Sequence, residues 1–167
     1  MNSPARLSLM ILIMSITGAC SNGHAPITSV YGNSHSSGSL PQSFHSLKTN
    51  GYICQNASRY RGSYLGNGEC VDLVKICSNA PHTRYWKKGA PVFGNDIPPG
   101  MAIATFRRGK YPNKSGHHAA IYSHQNKDGI FVWDQWKGQK IHLRFIKAYQ
   151  SHKKPGNNAS RYRVIER

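Results

Sequence analysis

Behind the turn Gly66-Asn67-Gly68-Glu69, the chain reads Cys70-Val71-Asp72-Leu73-Val74-Lys75-Ile76-Cys77. Its apolar side chains at 70, 73, 74 and 77 form the i, i+3, i+4, i+7 stripe of a helix that buries one face. Asn79-Ala80-Pro81 supplies the stop. The pattern after this segment is that of strands. Ile97-Pro98-Pro99-Gly100 is a turn, and Met101–Phe106 is an apolar run long enough for a buried strand. His118–Tyr122 is a second run, and Asp128-Gly129 turns the chain into Ile130–Trp136. Lys140–Ile146 closes the series. One helix followed by an antiparallel meander predicts an α+β fold. The folded domain is expected over residues 47–167, without internal repeats.

The first 46 residues do not belong to that domain. Arg6 precedes an apolar run, Leu7–Ile16, which is too short to span a bilayer and has the length of a signal-peptide core. Residues 1–20 are expected to be that signal. Thr17-Gly18-Ala19-Cys20 resembles a lipobox, which would make Cys20 a lipidation site, although Thr17 stands where such a box has Leu. Ordinary cleavage near Ala19 or Ala25 is the competing reading. Residues 21–46, rich in Ser, Gly, Asn and His, lack any apolar period and read as a flexible linker.

The chain carries 22 Lys and Arg against 6 Asp and Glu, a formal charge of +16. Such a balance holds a protein near polyanions, and for an exported chain these are the anionic polymers of the envelope. Nucleic acid is the usual partner of a basic cytosolic protein; no specific nucleic acid is expected here. Carboxylates are too few for a magnesium site, and His117, His118 and His124 have no zinc spacing, so no metal or cofactor is expected.

Cys70 opens the predicted helix, where unpaired N–H groups and the helix dipole favour thiolate over thiol. The same N–H groups suit an oxyanion. Glu69 and Asp72 fit a helix start as cap and dipole partners. His117 and His118 are strand neighbours and point to opposite faces, so at most one meets Cys70. Asp134 stands across the hairpin, in Val132-Trp133-Asp134-Gln135-Trp136, where an acid can orient an imidazole. Gln135 would do so from the other face if the register differed.

Three segments together resemble a known family. Gly-Asn-Gly-Glu-Cys70-Val-Asp-Leu-Val is similar to the nucleophile segment of CHAP and NlpC-type hydrolases. Ile97-Pro-Pro-Gly100 resembles their following Pro-x-Gly-Asp strand, with Met101 in place of Asp, and Gly116-His117-His118-Ala119-Ala120-Ile121-Tyr122 resembles their histidine strand. A nearer likeness is to small exported bacterial peptidoglycan amidases, including amidase toxins of the type VI secretion system. The resemblance implies a papain-like (NlpC/CHAP-type) core, with an N-terminal catalytic helix packed on a small antiparallel sheet. It selects His118 over His117 as base and gives Cys70 and Asp134 the other catalytic roles. Asn67 would aid the oxyanion, and Gln135 could stand in the cleft. Trp133 and Trp136 read as core residues, with a cleft wall as the alternative. The implied substrate is an amide bond in the peptidoglycan stem peptide, and a toxin role would imply a cognate immunity protein.

Cysteine pairing follows. Cys70 and Cys77 lie two helical turns apart, about 10 Å, beyond the roughly 7 Å that a disulfide spans between Cα atoms. A Cys54–Cys70 bridge would consume the nucleophile, so any disulfide is expected to join Cys54 to Cys77, the alternative being three reduced cysteines. Two rival functions fit parts of the sequence: a non-catalytic envelope protein of the same fold that binds wall or a partner, and a secreted basic nuclease or nucleic-acid-binding protein.

Overall fold

In a computed structural model, which describes residues 50–151 and 154–167, the predicted helix is α1, Cys70–Ser78. Asn79 ends it in the left-handed conformation, φ 54°, as a helix terminus favours for Gly or Asn. The predicted strands are β2 (Ala102–Thr105), β3 (Ala119–Asn126), β4 (Gly129–Trp136) and β5 (Gln139–Lys147). Two more strands had no visible period in the sequence: β1 (Lys87–Pro91) and β6 (Tyr162–Glu166).

These strands form one six-stranded sheet in the order β1-β6-β2-β3-β4-β5. The C-terminal strand β6 is inserted antiparallel between β1 and β2. The β2–β5 run is the predicted meander, joined by antiparallel pairs. This topology corrects the expectation of a papain-like core on a small sheet. Among the described residues the chain builds an open, six-stranded antiparallel α+β frame with a single α-helix, of nine residues. Apolar periodicity reports which side chains are buried, not which distant strand they pair with, so β6 was invisible as a sheet member.

Both faces of the central sheet are covered. On one face, Ala102, Ala104, Ala119, Ile121 and Ile165 pack with Leu73 and Val74 of α1. Three alanines at the centre of this face remove side-chain bulk, which lets the helix lie close to β3. On the other face, Met101, Ile103, Ala120, Tyr122, Val132 and Val164 form a second cluster. Cys54 and Cys77 are disulfide-bonded, with Cα atoms 5.1 Å apart, and Cys70 is a free thiol. The bridge ties the end of α1 to the segment entering the fold. The expected signal at 1–20, with Cys20, and the linker at 21–46 lie outside the described residues. Among those described, no helix is long and apolar enough to cross a membrane.

Candidate active site

The turn before α1 is built to fix where the helix starts. Gly66 and Gly68 have φ 58° and 77°, in the left-handed region that side chains avoid. A Cβ on Gly66 would also lie 2.8 Å from the Asp72 carboxylate. Asp72 Oδ2 accepts the Asn67 N–H at 2.9 Å, and its Oδ1 is 2.9 Å from Lys75 Nζ. Glu69 makes no capping bond; it pairs with Lys137 at 3.1 Å. Gln135, fully buried on β4, accepts the Leu65 N–H at 3.0 Å and donates to the carbonyls of Leu65 (2.8 Å) and Glu69 (2.9 Å). It staples the turn to the sheet rather than facing a cleft, which corrects the cleft role expected for it.

His118 stands immediately before β3. Its Nε2 donates to Asp134 Oδ2 at 2.9 Å, so Nδ1 is the nitrogen left for Cys70. Asp134 has no exposed surface. The same Oδ2 accepts from Arg144, whose Nε and Nη2 both lie at 2.7 Å. Asp134 Oδ1 has no hydrogen-bond donor among the described residues, and His142 Nδ1 is 3.8 Å from it. A buried carboxylate thus faces an arginine and two histidines, the arrangement in which an ionised acid is tolerated away from water. Trp136 stands edge-on to His118 and to His142, with centroids at 6.2 and 5.2 Å, and screens this group from solvent. Gly156 closes the other side. A Cβ there would come 2.7 Å from His118 Cβ, and its N–H donates to the Gly116 carbonyl at 2.8 Å.

Cys70 and His118 line the same cleft, and each perturbs the other. Burial pushes the thiol up, but the hydrogen bond and charge of His118, the Ala119 N–H and the Tyr111 hydroxyl together outweigh it, leaving Cys70 below the usual thiol range. Burial alone would lower His118; the bonds to Asp134 and Cys70 reverse this and raise it to about 9. Both shifts favour the charged forms, thiolate and imidazolium. Tyr111 Oη lies 3.7 Å from Cys70 Sγ. Burial, and then the charge of Cys70, push this phenol above its ordinary range, so it remains a hydrogen-bond donor. Its ring rests on Trp86, centroids 5.0 Å apart. Cys70, His118, Tyr111, Trp136, Val71 and Lys114 line a cleft of about 530 Å³.

Of the residues singled out from sequence, Cys70, His118 and Asp134 come together here. Asn67 does not: its side chain is exposed and borders a different hollow, with Tyr64 and Lys137, so the oxyanion role expected for it is corrected. Trp136 is 39 % exposed and walls the cleft, whereas Trp133 packs on the helix-side core. His117 Nδ1 lies 3.1 Å from Thr105 Oγ1, and the residue also lines the cleft. Tyr111 and Arg144 were missed. Tyr111 sits in the aperiodic loop Gly109-Lys110-Tyr111-Pro112, and Arg144 is one of 22 basic residues, so neither carried a local signal. Among the described residues no cluster of His, Cys, Asp and Glu is arranged to hold a metal.

The model of the family described as "Domesticated amidase effector 2" matches residues 43–165. The chain is 34 % identical over 131 residues to the "Type VI secretion amidase effector 2 protein" of Salmonella typhi, covering 69 % of this chain and 98 % of that protein. It is 37 % identical over 121 residues to "Domesticated amidase effector 2" of Ixodes scapularis, covering 68 % of this chain and 83 % of that one. The solved structure titled "Type 6 secretion amidase effector 2" superposes with a TM-score of 0.63 at 34 % identity, covering 69 % of this chain and 94 % of that chain. These matches correct the resemblance to CHAP and NlpC-type hydrolases: the family and fold matched are those of amidase effector 2, distinct from the papain-like group. The motifs misled for a physical reason. A cysteine opening a helix and a histidine beside an acid are what thiol chemistry demands, and such sets recur on unrelated frames.

Proposed function

The chain belongs to the amidase effector 2 family, and from that premise we propose that Cys70, His118 and Asp134 cleave an amide bond in the peptide stem of peptidoglycan. The protein is a secreted cysteine amidase effector directed at peptidoglycan. A cognate immunity protein is the partner such an effector calls for. The observation that supports the assignment of roles is the 2.9 Å bond from His118 Nε2 to the buried Asp134, behind a thiol that is already shifted toward thiolate.

In this reading the Cys70 thiolate attacks the amide carbonyl and forms a C–S bond. The developing oxyanion takes hydrogen bonds from the first-turn N–H groups of α1 and from Tyr111 Oη. His118 then gives its Nδ1 proton to the leaving amine as the C–N bond breaks, leaving an acyl-thioester. A water attacks that carbonyl while His118 removes its proton, and the thiolate departs. Asp134 keeps the ring oriented and stabilises its charged form, with Arg144 holding Asp134 in place.

The test is digestion of purified peptidoglycan, with nucleic acid as control and products identified by mass. New amine and carboxyl ends in the stem peptide, formed by the wild type and not by Cys70→Ala, are the expected outcome. Intact muropeptides with wild-type protein would reject the reading.

A further inference from the structure

Beside the cleft lies a second concavity of about 500 Å³, and the two share His117 and Ser115 in their walls. Its cations are Lys88, at the start of β1, Arg107 and Arg108 from the loop after β2, and Arg161 and Arg163 near the C-terminus. Phe106 and Pro155 complete it, and no carboxylate lines it. None of these five cations has an ion-pair partner among the described residues, whereas Asp72, Glu69 and Asp134 each have one. The pocket thus gathers like charges without their counter-charge. Burial and then the charge of Arg161 push Arg163 below its ordinary value, and burial followed by Arg107 does the same to His117. The Arg163 guanidinium is also held in place, donating to the carbonyls of Ser160 (3.1 Å) and Tyr162 (2.9 Å). Positioned guanidiniums that lack an acid are suited to receive a planar anion from outside, since their fork matches a carboxylate.

We infer that this pocket is a subsite for a free carboxylate of the peptide substrate, engaged while the scissile carbonyl sits at Cys70. The inference rests on the amidase reading and adds to it what the enzyme recognises. The shared wall carries the argument: one molecule lying in the cleft can pass His117 and Ser115 into the basic pocket. A wall stem peptide bears free carboxylates next to its amide bonds, so a single ligand supplies both the carbonyl and the anion. A remote anchor of this kind positions the reacting amide.

The experiment measures binding with Cys70→Ala protein of full length, using a soluble stem peptide with free carboxylates and the same peptide with them amidated. The free form should bind roughly tenfold to a hundredfold more tightly, the scale of a charge-assisted hydrogen bond. Adding Arg107→Gln and Arg161→Gln, both exposed in the structure, should bring the free form down to the amidated level with an unchanged melting temperature. If that pair perturbs folding, Lys88→Gln should reduce the preference in the same direction. Equal binding of the two peptides overturns the subsite. So does a preference that survives the arginine changes while binding to intact sacculi falls, because the pocket would then be a tether for wall polymers. Wild-type cleavage of sacculi is followed in parallel. Cleavage with no carboxylate preference removes the subsite and leaves the amidase; preference without cleavage keeps the subsite and removes the amidase.

Discussion

Two neighbouring hollows share a wall and use the same basic residue types to opposite ends. Behind the cleft wall, positive groups converge on one buried acid: His118 and Arg144 meet Asp134 Oδ2 at 2.9 and 2.7 Å. In the basic pocket, the cations face solvent with no acid among them. A buried carboxylate makes its cationic neighbours internal structure, since removing the acid would leave charge without a partner. Without one, the cations form an open field that an incoming anion can satisfy. Net charge alone does not distinguish these uses; the position of a single aspartate does.

The strongest way to break the comparison is at the thiol. Cys70→Ala should abolish turnover, on the order of a millionfold as for loss of a triad nucleophile, with an unchanged melting temperature. Residual turnover within tenfold of wild type would place the chemistry outside the cleft.

Asp134→Asn should lower kcat by about ten-thousandfold, as in a triad that has lost its acid, and should also destabilise the fold because Arg144 keeps its charge. The pH profile sharpens this. In the proposed mechanism the active form is thiolate with imidazolium, so activity should fall at low pH as Cys70 is protonated and at high pH as His118, raised to about 9, loses its proton. Asp134→Asn removes a contact that raises His118, so the alkaline limb should move down toward the ordinary value of 6.5. The same shift sets a stability trend. A raised histidine stabilises the fold fully below about 6.5, and that contribution disappears as pH rises through about 9. Melting curves across that window should show the loss in wild type and not in His118→Ala.

A smaller effect belongs to the bridge, which spans a sequence separation of 23. Reduction should cost about 3 kcal/mol by loop entropy, seen as a lower melting temperature. A Cys70→Ala background ensures that no other free cysteine of the described domain intervenes. Smallest of all, His117→Ala should change kcat by no more than a few-fold, while His118→Ala loses about a thousandfold or more. Equal losses would show that the two histidines share the proton transfer and that the shared wall is not a boundary.

The histidine pair also marks where sequence reasoning ends. Strand alternation puts His117 on the face of Ala119 and Ile121, and α1 packs on that very face. Alternation applied to the helix face would therefore have chosen His117. β3 begins only at Ala119, after Gly116 at φ 89°, so His118 precedes the strand and escapes its alternation. The motif resemblance selected His118, yet attached it to the wrong frame.

The choice of His118 over His117 came from the family resemblance, whereas the sequence pattern alone supplied the helix with Cys70 at its first residue, the four strands of the meander, the pairing of Cys54 with Cys77, and Asp134 across a hairpin from the histidines. These are local or nearly local facts: helical period, turn residues, and hairpin neighbours whose register is constrained by short connections. Only the tertiary structure decided that β6 enters between β1 and β2, that Gln135 is a staple, that Arg144 grips Asp134, and that Tyr111 meets the thiol. Three of these join residues distant in the chain or lying in aperiodic loops, and the fourth, Arg144 to Asp134, crosses the β4–β5 hairpin with a side chain that is one of 22 basic residues. Their side-chain chemistry looks the same in the sequence whether they end in a cleft, a core or solvent, and the fold alone supplies the distance that gives them a role.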